Sequence, residues 1–362
     1  MGCFHCLKAR PKLCFTMKVF AIILLLCLIA PVSRLGAAET GGKSYAGIYC
    51  LPAGEKPGKP VNLTSKLWQA DYLTGVALRS VWSVVEKNKG EYNWSLFDQG
   101  LALARENNKK ISLSVAAGGF APDWVKTEGA ASFDTIQQPN YTKQQEVTWV
   151  PVWDPVFQKE WAAFVQVMAA RYDSDPRVGY VYIGGPGIYI ESYVVQNQQD
   201  YEKFAAMGGL KKWIEGTEAV IDIYGAAFKK TPFFLALGNP LRVPSVHAEG
   251  EAAVEEVVRY GISKYPGRFG VASHSLNEKS ATRGADFFTN RIIRESSATS
   301  PAGYQMVGPA SGNFTWGNVG DLSTAFDGGI GLGARFIEVY AADCGNPGYA
   351  SLLTTTNARL RH

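Results

Sequence analysis

The chain has 362 residues, 46% apolar, 12% aromatic and 19% charged, with 38 Gly, 18 Pro and a formal net charge of +4 from 36 Lys and Arg against 32 Asp and Glu. That balance excludes a disordered chain, a collagen-like repeat and a disulfide-dense mini-scaffold. The length accommodates two modest domains or one large one.

Residues 1–38 read as a secretory signal. Lys8, Arg10, Lys12 and Lys18 precede the apolar run Val19–Ala30, and the small residues Gly36-Ala37-Ala38 supply a cleavage site. Met17-Lys18 with the same run makes a complete signal by itself. The run is about 12 residues long, short of the ~20 that span a bilayer as a helix, so a cleaved leader is the expectation and an uncleaved anchor the alternative. Removing 1–38 takes away those four basic residues and Arg34, leaving 31 basic residues against 32 acidic ones. The expected mature chain, 39–362, is therefore close to neutral. It has no basic block for nucleic acid and no membrane segment after cleavage, and a secreted or periplasmic location follows. Of six Cys only Cys50 and Cys344 remain, in a compartment that permits a disulfide.

From residue 45 onward a short apolar strand followed by an amphipathic helix recurs. Expected strands are Tyr45–Cys50, Val76–Trp82, Ile111–Ala116, Val178–Gly184, Phe233–Gly238, Phe269–His274, Ala302–Val307 and Ala334–Tyr340. Expected helices are Ser95–Asn107, Asp154–Arg171, Tyr201–Phe228, Glu249–Lys264, Ala285–Ser296 and Leu322–Leu332. Asp154-Pro155 is a helix start with Pro at the first helical position. Strands alternating with helices imply a parallel sheet, and eight units in one chain fit a single closed (β/α)8 barrel better than an open sheet. In such a barrel the first and last strands are neighbours. Cys50 and Cys344 would then meet at the seam, either as a disulfide stapling it or as two unpaired thiols.

Gly184-Gly-Pro-Gly187 lacks dinucleotide-fingerprint spacing, the His residues are scattered, and no Gly-x-Ser-x-Gly elbow is present. No metal site and no cofactor are expected. The chemistry should lie at the C-terminal ends of the strands, where alternate residues point into the barrel. On the eighth strand, Ile337 and Val339 are the β-branched pair expected against helices, which leaves Phe336, Glu338 and Tyr340 inward. A carboxylate there is costly unless paired, so Glu338 is either functional or the partner of an inward cation such as Arg79 on the second strand. Glu191 follows the fourth strand in a glycine-rich loop that can project over the mouth, or it is a solvated loop residue. Two carboxylates over one mouth are what glycosidic-bond cleavage requires. Trp82, Trp124, Trp153 and Trp316 in loops after strands would stack on sugar rings, or pack as core. Asn239, His274 and Gln305 at the ends of strands five, six and seven would bond to hydroxyls. A carbohydrate is thus the expected partner, and the sequence sets no oligomeric state. Asn62, Asn93, Asn140 and Asn313 lie in Asn-x-Ser/Thr sites, with Asn93 better read as a turn and cap residue.

Val81-Trp-Ser-Val-Val-Glu-Lys-Asn-Lys-Gly-Glu-Tyr-Asn-Trp-Ser-Leu-Phe-Asp98 resembles the second βα unit of clan A glycoside hydrolases, notably the family 42 beta-galactosidase type. Ala121-Pro-Asp-Trp124 resembles the segment after their third strand. Trp153-Asp-Pro-Val-Phe157 and Arg171-Tyr-Asp-Ser-Asp-Pro-Arg-Val178 resemble the helix leading into the fourth. The resemblance covers roughly 73–191 well and 301–346 loosely. It implies an acid/base at the end of strand four, usually as Asn-Glu, and a nucleophilic Glu at the end of strand seven. Glu191 matches the first position approximately, with no Asn before it, and Gln305 occupies the second. An amide cannot be a carboxylate nucleophile. Either Glu338 on the neighbouring strand takes that role, or the enzyme uses another arrangement, or catalysis has been lost. The expectation carried forward is a secreted glycoside hydrolase using Glu191 and Glu338, with Glu338 as base for a water if the pair is widely spaced. The alternatives are a noncatalytic carbohydrate-binding barrel and a surface adhesion domain.

Overall fold

A computed structural model describes residues 44–63, 66–137, 145–311 and 319–362. The expected leader, Asn140, Asn313 and Trp316 lie outside the described residues. Among the described residues ten strands form, β1 (Gly47–Leu51), β2 (Gly75–Val81), β3 (Lys110–Ala116), β4 (Phe133–Gln137), β5 (Gln145–Trp149), β6 (Val178–Tyr182), β7 (Phe233–Leu237), β8 (Phe269–Leu276), β9 (Ala302–Met306) and β10 (Phe336–Tyr340). Eight of them close a barrel in the order β1-β10-β9-β8-β7-β6-β3-β2, while β4 and β5 pair as an antiparallel hairpin. Every pairing in the barrel is parallel, and β1 lies against β10 with Tyr49 opposite Glu338. The fold is a single (β/α)8 barrel, with each expected strand present to within a few residues.

The helices are α1 (Trp82–Val85), α2 (Ser95–Glu106), α3 (Asp123–Thr127), α4 (Pro155–Tyr172), α5 (Gln198–Ala206), α6 (Gly209–Ala227), α7 (His247–Lys264), α8 (Glu278–Arg283), α9 (Phe288–Ser296), α10 (Leu322–Gly331), α11 (Ala341–Cys344) and α12 (Ala350–Arg361). Asp154 caps α4 by accepting from the Val156 and Phe157 amides, with Pro155 behind it, as the sequence predicts. The single helix expected over Tyr201–Phe228 is instead two. Gly208 and Gly209 adopt φ values of +116° and +62°, a left-handed turn that no continuous right-handed helix accommodates. The hairpin β4–β5 and the C-terminal helix α12 are absent from the sequence reading. Within α12, Asn357 Oδ1 accepts from the Ile48 amide at 2.8 Å and the Thr74 hydroxyl at 2.9 Å, tying the helix to the base of β1.

Strand parity sorts the core into two layers. Ile48, Cys50, Val76, Leu78, Ile337 and Val339 pack outward under the helices. Tyr49, Ala77, Tyr180, Tyr182, Phe234, Ala236, Ala272 and Phe336 fill the interior. Tyr180 and Phe336 stack with ring centroids 4.3 Å apart, and Phe234 meets Phe336 edge-on at 5.1 Å. These rings form a floor, and Gly303 exists to admit one of them, since a Cβ there would lie 2.2 Å from Phe336 Cε1. The mouth above the floor is where the inward polar residues gather.

The seam carries no disulfide. Cys50 and Cys344 are buried free thiols in the outer layer, and Cys344 Sγ donates to the Val339 carbonyl at 3.3 Å. The expected staple is thereby corrected to a close-packed thiol pair. The Cys50 thiol, together with burial, pushes the Cys344 pKa well up. Among the described residues no helix is long and apolar enough to cross a membrane.

Candidate active site

Five side chains singled out from the sequence meet at the C-terminal mouth of the barrel: Arg79, Glu191, His274, Gln305 and Glu338. Glu191 reaches the mouth because the chain turns back on itself after β6. A Cβ on Gly187 would sit 2.0 Å from the Glu191 carbonyl oxygen, so only glycine permits so tight a return. The loop is pinned by Trp213 Nε1 donating to the Pro186 carbonyl at 2.8 Å and by the Ile188 amide donating to the Tyr193 carbonyl at 2.9 Å. Ser192 Oγ adds a bond to the Ala236 carbonyl at 3.2 Å.

His274 points inward from β8, its ring edge-on to Tyr182 at 5.1 Å. Its Nδ1 lies 2.7 Å from Glu191 Oε1. An ionised carboxylate only accepts, so this contact assigns the proton to Nδ1. Nε2 is buried without a hydrogen-bond partner. The Glu191 side chain keeps 23% of its exposure, whereas that of His274 keeps 3%. Burial alone would raise the Glu191 pKa, but the His274 ring and the Arg79 guanidinium outweigh it, and the pKa falls from 4.5 to about 2. Glu191 is therefore a carboxylate at any ordinary pH.

Arg79 is the hub. Its Nη2 donates to Glu338 Oε2 at 2.6 Å and also bonds to Gln305 Oε1. Burial would lower its pKa, yet Glu338, Tyr182, Glu191 and Tyr340 raise it, so the cation is fixed between two carboxylates. Glu338 Oε1 accepts from the Tyr180 hydroxyl at 2.7 Å, and the residue has no exposed surface. Gln305 Nε2 reaches the Met306 carbonyl at 3.3 Å and the Tyr340 hydroxyl at 3.4 Å. Glu338 is inward, as its strand parity predicts. It is nonetheless closed beneath the mouth as the partner of Arg79, so the expectation of a second carboxylate facing substrate does not match this geometry.

Other expected contacts lie elsewhere. Trp82 is fully buried outside the barrel, its ring 4.9 Å from Trp161 and 5.6 Å from Trp124, with Nε1 donating to Glu86. Trp124 is half-buried in the same cluster, and Lys89 Nζ sits over its ring at 5.4 Å. Trp153 packs against Trp149 and Phe204. These indoles pack into the outer hydrophobic cluster; Trp82, next after the inward Val81, has outward parity and begins α1. Asn239 braces its own loop, donating to the His247 carbonyl and accepting from the Leu241 amide, both at 2.8 Å. The sequence reading missed Tyr180 and Tyr182 as site members, although the alternation in Val178–Tyr182 already turns both inward. It also missed Tyr189 and Phe120 beside the mouth.

Residues 72–227 match the family model described as beta-galactosidase, glycoside hydrolase family 42, a span that includes Arg79 and Glu191. Over that span, less than half of the chain, the sequence is similar to the family. Among solved structures, the catalytic domain of a beta-amylase from Paenibacillus polymyxa superposes with a TM-score of 0.58 at 10% identity, over 87% of this chain and 99% of that one. A beta-galactosidase from the Antarctic haloarchaeon Halorubrum lacusprofundi gives 0.51 at 12% identity, over 86% of this chain but only 58% of that one. At these identities the likeness to the two structures is one of fold. No curated protein sequence matches the chain at a significant level.

Proposed function

We propose that this protein is a secreted, carbohydrate-acting hydrolase that cleaves an O-glycosidic bond at the C-terminal mouth of its barrel, with Glu191 at the reacting carbon. The observation that carries the reading is Glu191 itself. It is a partly open carboxylate over the mouth, held by His274 2.7 Å away and kept ionised by His274 and Arg79. A pKa of about 2 suits the carboxylate half of glycosidic cleavage, as nucleophile or as base for a water, and not the proton-donating half that the strand-four position alone suggests. Glu338 then acts through Arg79, holding the guanidinium where it faces Glu191. To serve as a water-activating base it would have to leave both Arg79 and Tyr180.

A second reading, a noncatalytic carbohydrate-binding barrel, is favoured by the burial of Glu338 and by Gln305 at the strand-seven position. Product analysis of residues 39–362 against a glycan panel separates the two. Hydrolysis that falls by about 10²–10⁴-fold in Glu191→Gln supports the enzyme. Binding without hydrolysis of any glycan supports the second reading, and hydrolysis unchanged in Glu191→Gln removes Glu191 from the reaction.

A further inference from the structure

A cleft of about 650 Å³ opens beside the mouth and takes no part in the network around Arg79. Its walls come from five segments: Lys56 and Pro57 after β1, Ser83 on α1, Gly119 to Lys126 after β3, Gln145–Thr148 on the hairpin, and Tyr189 from the Glu191 loop. The volume lies within the ~300–1,000 Å³ of small-molecule clefts.

Two half-buried rings, Phe120 and Tyr189, line it with centroids 5.8 Å apart and planes inclined at 55°. They offer two apolar faces at an angle, not one flat surface. The charges around them cancel. Lys126 is paired with Asp123 at 2.8 Å, and Lys56 and Glu146 add one of each sign. Ser83, Gln145 and Thr148 contribute uncharged hydrogen-bonding groups. Apolar faces among neutral polar groups and balanced charge match a polyhydroxylated ring, apolar on its C–H faces and polar at its rim. They do not match an anion.

The walls are tied to the loop that carries Glu191. The Gly119 amide donates to the Ile188 carbonyl at 3.0 Å, and the Val150 amide donates to the Gly118 carbonyl at 3.2 Å. A Cβ on Gly119 would lie 2.7 Å from Ile188 Cγ2 and 2.9 Å from Val147 Cγ1, so three wall segments converge on that glycine. The hairpin is anchored to the chain beyond Glu191. Asp200 Oδ2 accepts from the Thr135 hydroxyl and the Ile136 amide, both at 2.8 Å, and Gln137 Nε2 donates to the Val194 carbonyl at 3.0 Å. Tyr189 stands two residues before Glu191, and the Glu191 charge, after burial, raises its phenol pKa. The cleft is thus continuous with the candidate site through one short, braced loop.

We infer that this cleft is an extended subsite that binds neutral sugar units of an oligosaccharide whose scissile bond lies at Glu191, with Phe120 and Tyr189 as its stacking platforms. The inference rests on the carbohydrate reading above and adds the chain length and charge class of the ligand. Such a subsite makes the protein prefer longer neutral chains, because binding energy from remote units is added to that at the mouth.

The test uses residues 39–362 and neutral β-linked di- and hexasaccharides of the cello-, laminari- and galacto- series, with alginate and pectate hexasaccharides as the charged arm. Binding is measured by calorimetry in the Glu191→Gln background, and kcat/KM in the Glu191 protein. The expected result is that neutral hexasaccharides bind more tightly than disaccharides. Phe120→Ala and Tyr189→Ala should each reduce that preference about tenfold or more, with Tyr189→Phe retaining most of it. Unchanged thermal midpoints in these variants show that they fold. An equal loss on short and long chains overturns the subsite, as does equal or tighter binding of the charged hexasaccharides. Length-dependent binding that needs Phe120 and Tyr189, without hydrolysis, upholds the subsite and rejects the enzyme reading.

Discussion

Replacing Arg79 with Met removes the cation from a carboxylate that has no exposed surface. Glu338 holds two hydrogen bonds, from Arg79 Nη2 at 2.6 Å and from the Tyr180 hydroxyl at 2.7 Å, and the substitution leaves only the second. Two unit charges about 4 Å apart at an effective dielectric of about 20 attract by roughly 4 kcal/mol. Breaking one side of a buried pair costs about 3–5 kcal/mol. The Arg79 side chain retains 20% exposure, which places the expected loss near the lower figure, about 3 kcal/mol. That is a large share of a total of roughly 5–15 kcal/mol. Glu338→Gln should cost less, about 1–2 kcal/mol, since it keeps a partner for Tyr180 and leaves the cation at the more open position, facing Glu191. Joining Arg79→Met to Glu338→Leu should recover much of the loss, because an apolar pair needs no solvation. Urea unfolding of Arg79→Met, Glu338→Leu and the double variant at neutral pH measures the coupling. A loss below about 1 kcal/mol for Arg79→Met, or a double variant no better than Arg79→Met alone, would refute the view that Glu338 depends on this ion pair.

Four further outcomes are expected. The folded-state pKa of Glu191 lies below its ordinary 4.5, so its stabilising contribution is complete above about pH 4.5 and lost as pH falls towards 2. The unfolding free energy from urea titrations should therefore fall more over that window than that of Glu191→Gln, by about 2–3 kcal/mol in all, and equal slopes would contradict the Glu191–His274 pairing. His274→Ala should move the acid limb of any glycosidase activity upward towards the usual carboxylate range, which a pH–rate profile reads directly. Asn357→Ala leaves the buried Ile48 amide without its acceptor and should lower stability by about 1–3 kcal/mol, measurable by urea unfolding. Denaturation without reductant should expose Cys50 and Cys344 as alkylatable thiols in peptide mass analysis, and an unreacted pair would restore the disulfide.

The barrel was legible because its signals are local. Runs such as Val178–Tyr182 and Phe233–Leu237 are apolar over strand length, and helix starts such as Asp154-Pro155 carry their own capping chemistry. Parity, which depends only on counting by twos, also turned Phe336, Glu338 and Tyr340 inward and named Arg79 as the partner of Glu338. The hairpin was not legible. Asp134 and Glu146 face each other's strands in a polar ribbon held to the rest of the chain by Asp200, a residue more than sixty positions away from Thr135. Nor was the fate of the tryptophans. Trp82 follows a strand, as a mouth residue would, but the short helix α1 begins there and carries the indole into the layer packed against α4.

By itself, then, the sequence determined the eight barrel strands, their parallel closure and the identity of the ionisable groups near the mouth, since each follows from periodicity within a few residues. Only the tertiary structure decided which carboxylate stays open. Glu191 lies in the loop after β6 and Glu338 within β10, and the sequence places both near the mouth. One is carried outward by a glycine turn to meet His274, and the other is locked beneath Arg79 and Tyr180. That difference depends on partners 83, 259 and 158 residues away along the chain, a separation over which no local pattern carries information.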